Sequence, residues 1–156
     1  MINNNYFSNY FSSDLVPALL KRRHKTIENV FLLLSFRQQQ PGRQPPATAI
    51  WDLVNESPNP NESFFVSARQ WRDVRRRAQL AGLVPRIFCH SHPADSDDRV
   101  SDADIQNAIG DISLYGVLTW KGEFILYNRR GELMRFDLAP PEEKGLLGRL
   151  RRRFGR

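Results

Sequence analysis

A chain of 156 residues, 40% apolar and 26% charged, with 10 Pro and 9 Gly, holds one domain of ordinary composition and has no room for a second full one. No apolar run approaches the ~20 residues that cross a bilayer, and the polar start Met1-Ile2-Asn3-Asn4-Asn5 is no secretion signal, so the sequence reads as a soluble cytoplasmic protein. The net charge of +6 sits wholly in Lys144, Arg149, Arg151, Arg152, Arg153 and Arg156, which leaves a neutral body, and the single Cys89 excludes a disulfide framework or a cysteine-rich zinc module.

Residues 1–13, rich in Asn and Ser with Tyr6, Phe7, Tyr10 and Phe11 interspersed, show no period and read as an N-terminal extension, either loose or docked on the body by its aromatics. Asp14 caps a helix with Pro17 in its first turn, and Leu15, Leu19, Leu20 and Ile27 share a face opposite Lys21, Arg22 and Lys25, which predicts helix over about 15–26. The short apolar run Val30 to Phe36 predicts a strand buried on both faces and central in a sheet. Gln38 to Ala47, rich in Gln and Pro, reads as a mobile connection. A strand over Ala49 to Val54, a turn region over Asn55 to Glu62 and a short strand over Ser63 to Val66 follow. Ser67 caps a helix over Ala68 to Leu80 that buries Trp71, Val74 and Ala78, wets Arg72, Arg75, Arg76 and Arg77, and ends at Gly82. Leu83 to Cys89 is a strand with Pro85 against its start. Ser101 caps a helix through about Ile109, and Leu114 to Trp120, Glu123 to Tyr127 and Leu133 to Leu138 are strands, the last two joined at Asn128-Arg129-Arg130-Gly131. The order describes a mixed α/β sheet with packed helices and no internal repeat.

The chemistry concentrates just past the end of the Leu83–Cys89 strand, at His90-Ser91-His92-Pro93. Positions i and i+2 of extended chain point to one side, so both imidazoles reach one ion. Asp104 comes twelve residues after His92, three beyond Ser101, and the loop Ala94 to Val100 brings its helix start beneath the strand end as a third ligand. Two His and one Asp leave a tetrahedral Zn²⁺ with one position open to water, the arrangement of catalytic sites. Ser101 with Asp104 also reads as a capping box with Asp in place of Glu, which is compatible with ligation because a cap fixes the helix start. Cys89 alternates to the opposite face and reads as core, Asp95, Asp97 and Asp98 as a solvated loop, and His24 as exposed.

These residues resemble the JAB/MPN metalloproteases of the JAMM type, whose signature is His-Xaa-His-Pro, seven residues, Ser, two residues, Asp. His90, His92, Pro93, Ser101 and Asp104 match it without a gap. The resemblance extends over about residues 14–139, between the N-terminal extension 1–13 and the basic tail 140–156. It implies a three-layer, cytidine-deaminase-like arrangement with a curved, mostly antiparallel sheet. It also implies a glutamate upstream, at the start of an apolar strand, that takes a proton from the attacking water and passes it to the leaving nitrogen. Glu28 holds that place before Phe31-Leu32-Leu33-Leu34, with Glu56 and Glu62 as alternatives in the turn region. Phe31 stands where the family usually has glycine. Ser101 is then the donor to the developing oxyanion.

By that resemblance the function is zinc-dependent cleavage after the C-terminus of a ubiquitin-like protein, as deconjugation or precursor processing, with activating or conjugating enzymes as further partners. The chain looks like the stand-alone prokaryotic, bacterial members. Phage-tail members pair this domain with a cell-wall peptidase that finds no room here. A non-catalytic MPN-type interaction scaffold is the rival from another class, separated by zinc content and hydrolysis. Nucleic-acid binding through Arg149 to Arg156 ranks third, and a nucleoside deaminase is disfavoured because its His-Xaa-Glu and Pro-Cys-Xaa-Xaa-Cys elements are absent.

Overall fold

A computed structural model describes residues 7–38, 41–42, 44–106 and 111–139. Its strands are β1 (Val30–Phe36), β2 (Ala49–Leu53), β3 (Leu83–Ser91), β4 (Leu114–Leu118), β5 (Glu123–Asn128) and β6 (Leu133–Asp137), and its helices α1 (Val16–Leu20), α2 (Ala68–Leu80) and α3 (Asp102–Gln106). The strands form one open sheet in the order β2-β1-β3-β4-β5-β6, antiparallel at every pairing except β3 with β4. A parallel pair needs a long crossover, and the chain between β3 and β4 supplies it. That crossover carries α3 past the end of β3, which positions the site described below.

Alternation along the strands divides the interior into two cores, one on each face of the sheet. Phe31 and Leu33 of β1, Ile87 and Cys89 of β3 and Phe124 and Leu126 of β5 pack with Leu15, Leu19 and Phe11 on one face. Val30, Leu32 and Leu34, Phe88, Val117 and Ile125 pack with Val74 and Ala78 of α2 on the other. β1 is therefore buried on both sides, as its apolar run predicts, and Cys89 lies in the core away from the histidines.

α2 keeps its predicted bounds: the Ser67 hydroxyl accepts from the Gln70 N–H at 3.2 Å, and Gly82 leaves the helix at φ +70°. Its arginine face is exposed, with Arg75 on Asp111, and Arg77 over the Trp51 ring and near Asp73. β3 runs two residues beyond its predicted end, so His90 sits inside the ladder, opposite Val30 and Val117. Pro85 is accommodated at a register shift opposite Leu33 and Leu34, before the pairing with β4 begins at Ile87.

Three expectations need correction. The helix predicted over 15–26 is α1 alone, preceded by a 3-10 turn over Ser13–Leu15. The side chains of Arg22 and Arg23 bend back to the carbonyls of Ala18 and Leu20, and His24 Nδ1 accepts from the N–H of Thr26 and Ile27, so the chain turns there. Ser63 to Val66 joins no ladder; its backbone is held instead by the Asn55 side chain. The connection Gln38 to Ala47 is pinned at its far end, where Ala47 is fully buried and exchanges backbone hydrogen bonds with Tyr10 and Ser12. Of the two possibilities for the first residues, docking is the one seen over 7–13, where Phe7 and Phe11 stack and both meet Phe136. Residues 1–6, the end of the helix expected to reach Ile109 and the tail 140–156 lie outside the described residues. Among the described residues no helix is long and apolar enough to cross a membrane.

Candidate metal centre

His90 and His92 project from the end of β3 on the α2 face, and Asp104 meets them from α3; all three are buried. The two Nε2 atoms lie 3.1 Å apart, His90 Nε2 is 3.2 Å from Asp104 Oδ1, and His92 Nε2 is 3.9 Å from Asp104 Oδ2. Ligands at ~2.0–2.1 Å around a tetrahedral ion stand roughly 3.3 Å apart, so this triangle is the size of one face of such a site. His92 Nδ1 lies 2.9 Å from the Asp97 carbonyl, which fixes the proton there as a donor and turns the Nε2 lone pair toward His90 and Asp104. Burial, and then the neighbouring His90, lower the His92 pKa below its usual 6.5, so the imidazole stays in the metal-competent form into mild acid. The donor set therefore fits a divalent cation.

Local chemistry builds each arm. His92 N–H donates to the Leu118 carbonyl and so extends the β4 ladder past the end of β3. The Ala94 N–H donates to the Lys25 carbonyl, and Lys121 pairs with Asp98, which ties down both flanks of the loop carrying Asp97. Ser101 and Asp104 form the reciprocal cap that the sequence suggests. The Ser101 N–H and hydroxyl donate to Asp104 Oδ2 at 2.7 and 2.8 Å, and the Asp104 N–H donates to the Ser101 hydroxyl at 3.1 Å. Burial works to raise the Asp104 pKa, but His90 and the two Ser101 donors outweigh it and hold the carboxyl at about 2.

A stability signature follows. A carboxyl at 3.8 when unfolded and about 2 when folded contributes about 2 kcal/mol to the metal-free protein above pH ~4, lost as pH falls through about 2. The depressed His92 adds acid lability below its usual 6.5, since the unfolded chain takes up that proton more readily. Chemical denaturation of metal-free wild type and Asp104→Asn is expected to differ by about that 2 kcal/mol at pH 7, with the two curves converging toward pH 2.

Glu28 lies two residues before Val30, the partner of His90, so strand alternation puts its side chain on the same face as both histidines. It is 6% exposed, and its backbone is fixed on both sides: its N–H donates to the Pro60 carbonyl at 2.6 Å, and its carbonyl accepts from Asn55 Nδ2 at 2.9 Å. Burial raises the Glu28 pKa above 4.5, with His90 pulling it back and Asp104 pushing it further up. Phe31 points to the opposite core, where its ring is fully buried beneath the Arg22 guanidinium, so the departure from glycine there does not reach the site. Of the alternatives, Glu56 is spent at the start of α2, accepting from Ser67 and Gln70. Glu62 lies exposed at the rim of the cleft, a space of about 210 Å³ that Glu28, His92, Ser101 and Asp104 also line.

Two contributors were not evident in the sequence. Phe64 lines the cleft and lays its ring on His90, with centroids 4.3 Å apart. Asn55 donates to the carbonyls of Glu28 and Ser63 and accepts from the Phe65 N–H, bridging the segment before β1 to the segment before α2. The one available signal is Asn55 itself, opening a Pro- and Asn-rich turn where such a side chain organises backbone.

Similarity to solved structures gives the fold its class. A JAB1/MPN domain protein from Archaeoglobus fulgidus superposes with a TM-score of 0.50 at 18% identity, over 80% of this chain and 94% of that one. A protein from Desulfitobacterium hafniense gives 0.62 at 20% identity, over 82% and 89%, and one from Salinibacter ruber 0.55 at 19%, over 85% and 92%. No family model and no curated protein sequence matches the chain. The fold is MPN-like, and at the end of β3 it holds a buried His-His-Asp cluster of metal-binding size.

Proposed function

We propose that this protein is a zinc-dependent peptidase or isopeptidase that cleaves after the C-terminus of a ubiquitin-like protein, to process a precursor or remove a conjugate. The observation that carries the reading is the buried triangle of His90, His92 and Asp104 with the carboxyl of Glu28 on the same face beside a solvent-open cleft. A zinc ion held by those three ligands supplies a polarising charge and a water of lowered pKa. Glu28 takes the proton of the attacking water and delivers it to the leaving nitrogen, a task suited to a carboxyl whose pKa burial has raised. The substrate class follows the resemblance in the His-Xaa-His-Pro and Ser-Xaa-Xaa-Asp elements, and enzymes that activate or conjugate the same modifier are the further partners it implies.

Ser101 has two duties in this reading. Its hydroxyl holds Asp104 at rest and rotates to donate to the developing oxyanion, while its backbone N–H keeps the carboxylate in place. Ser101→Ala is therefore expected to lower kcat about 10²–10³-fold with zinc content unchanged, checked by turnover against metal analysis of the same preparation.

The test is a ubiquitin-like protein fused through its C-terminus to a peptide reporter. Cleavage at the junction that stops with chelator and returns with zinc is the expected result. Stoichiometric zinc without cleavage of any such fusion favours the interaction scaffold, and binding that weakens steeply with salt and disappears with the tail favours nucleic acid.

A further inference from the structure

We propose that Phe64 is the positioning residue of His90, holding by ring stacking a metal ligand that no second hydrogen bond orients. The inference rests on the metal-centre reading above and adds to it a residue outside the ligand set.

The two histidines are supported differently. His92 gives its Nδ1 proton to the Asp97 carbonyl, the usual device that fixes a ligating imidazole. His90 is fully buried, and its Nδ1 has no hydrogen-bond partner among the described residues. Against that ring lies Phe64, 4.3 Å between centroids and tilted by 31°, and behind Phe64 lies Phe88 at 5.7 Å. The stack blocks rotation of the imidazole, so Nε2 stays aimed at His92 and Asp104. An imidazole that has given its lone pair to a cation is electron-poor, and the electron-rich face of a phenyl ring favours that state.

Phe64 is itself held without a strand. The Asn55 side chain binds the backbone on both sides of it, at Ser63 and Phe65, and reaches the Glu28 carbonyl with the same amide. The stretch that reads as a short strand in the sequence is thus a strap that presents one ring to one ligand.

Cobalt titration of the full chain, followed by its visible absorption, tests the proposal with Phe64→Leu and Phe64→Met, two apolar side chains of similar bulk. Phe64→Tyr retains the ring, and Phe65→Leu changes an exposed neighbour. Phe64→Leu and Phe64→Met are expected to bind cobalt about 10–100-fold more weakly with altered visible bands. Phe64→Tyr and Phe65→Leu are expected to match wild type. In the metal-free protein the His90 imidazole resonances move downfield in the Leu and Met variants, as the ring current of Phe64 is lost. Wild-type cobalt affinity and bands in either non-aromatic variant, or unmoved His90 resonances, overturn the proposal. A wild type that binds cobalt but cleaves no ubiquitin-like fusion defeats the peptidase reading alone, and one that binds no cobalt defeats both.

Discussion

Glu28→Gln is expected to lower turnover of a ubiquitin-like fusion by about 10²–10⁴-fold while the zinc content per chain stays as in wild type. Glutamine keeps the shape of the side chain but loses the ability to take a proton. The backbone bonds from Asn55 and to Pro60 that place residue 28 do not depend on its carboxyl, so the fold is retained. The same carboxyl governs pH dependence. Its pKa is raised because burial disfavours the charged form and Asp104 repels it, so the acid limb of kcat/KM is expected above pH 4.5 and is lost in the variant. A Glu28→Gln enzyme with wild-type turnover would remove Glu28 from the chemistry and turn attention to Glu62, another carboxyl at the cleft rim.

Asp104→Ala is expected to abolish zinc uptake and hydrolysis together. Asp104 is the one member of the cluster that does not come from the end of β3, and without it the two imidazoles of one strand end are a pair, which does not make a site. The loss also removes the acceptor of both Ser101 donors, loosening the start of α3. The contrast with Ser101→Ala, which keeps its metal and loses turnover, separates ligand from oxyanion donor. Metal analysis beside activity reads both; an Asp104→Ala protein that still binds zinc stoichiometrically would show that the third ligand lies elsewhere.

The grouping of His90, His92 and Asp104 and the bounds of β1 and α2 were legible because each rests on a local rule. Val30 to Phe36 is an apolar run with no polar face, so it fits only the interior of a sheet, and Ser67 and Gly82 bracket α2 by their own chemistry. His90, His92 and Asp104 follow from strand alternation and a capped helix after a short loop. What the sequence concealed depends on side chains that bond to backbone in place of the regular ladder. Arg22, Arg23 and His24 turn the chain after α1 by seizing nearby backbone groups, where periodicity suggests continued helix. Phe64 and Val66 alternate like a strand, but Asn55 claims the surrounding backbone and gives Phe64 to His90. Phe31 departs from the glycine usual in the resembled family, and its placement in the opposite core, which the sequence does not settle, keeps that departure away from the site.

In the proposed centre His90, His92 and Asp104 share one ion and leave it a place for solvent. X-ray absorption at the zinc edge of the purified holoprotein measures this directly. Four light ligands at ~2.0–2.1 Å are expected, two of them with the outer-shell scattering of imidazole, with loss of that signature in Asp104→Ala. A spectrum with no imidazole scattering, or zinc bound identically after Asp104→Ala, would contradict it.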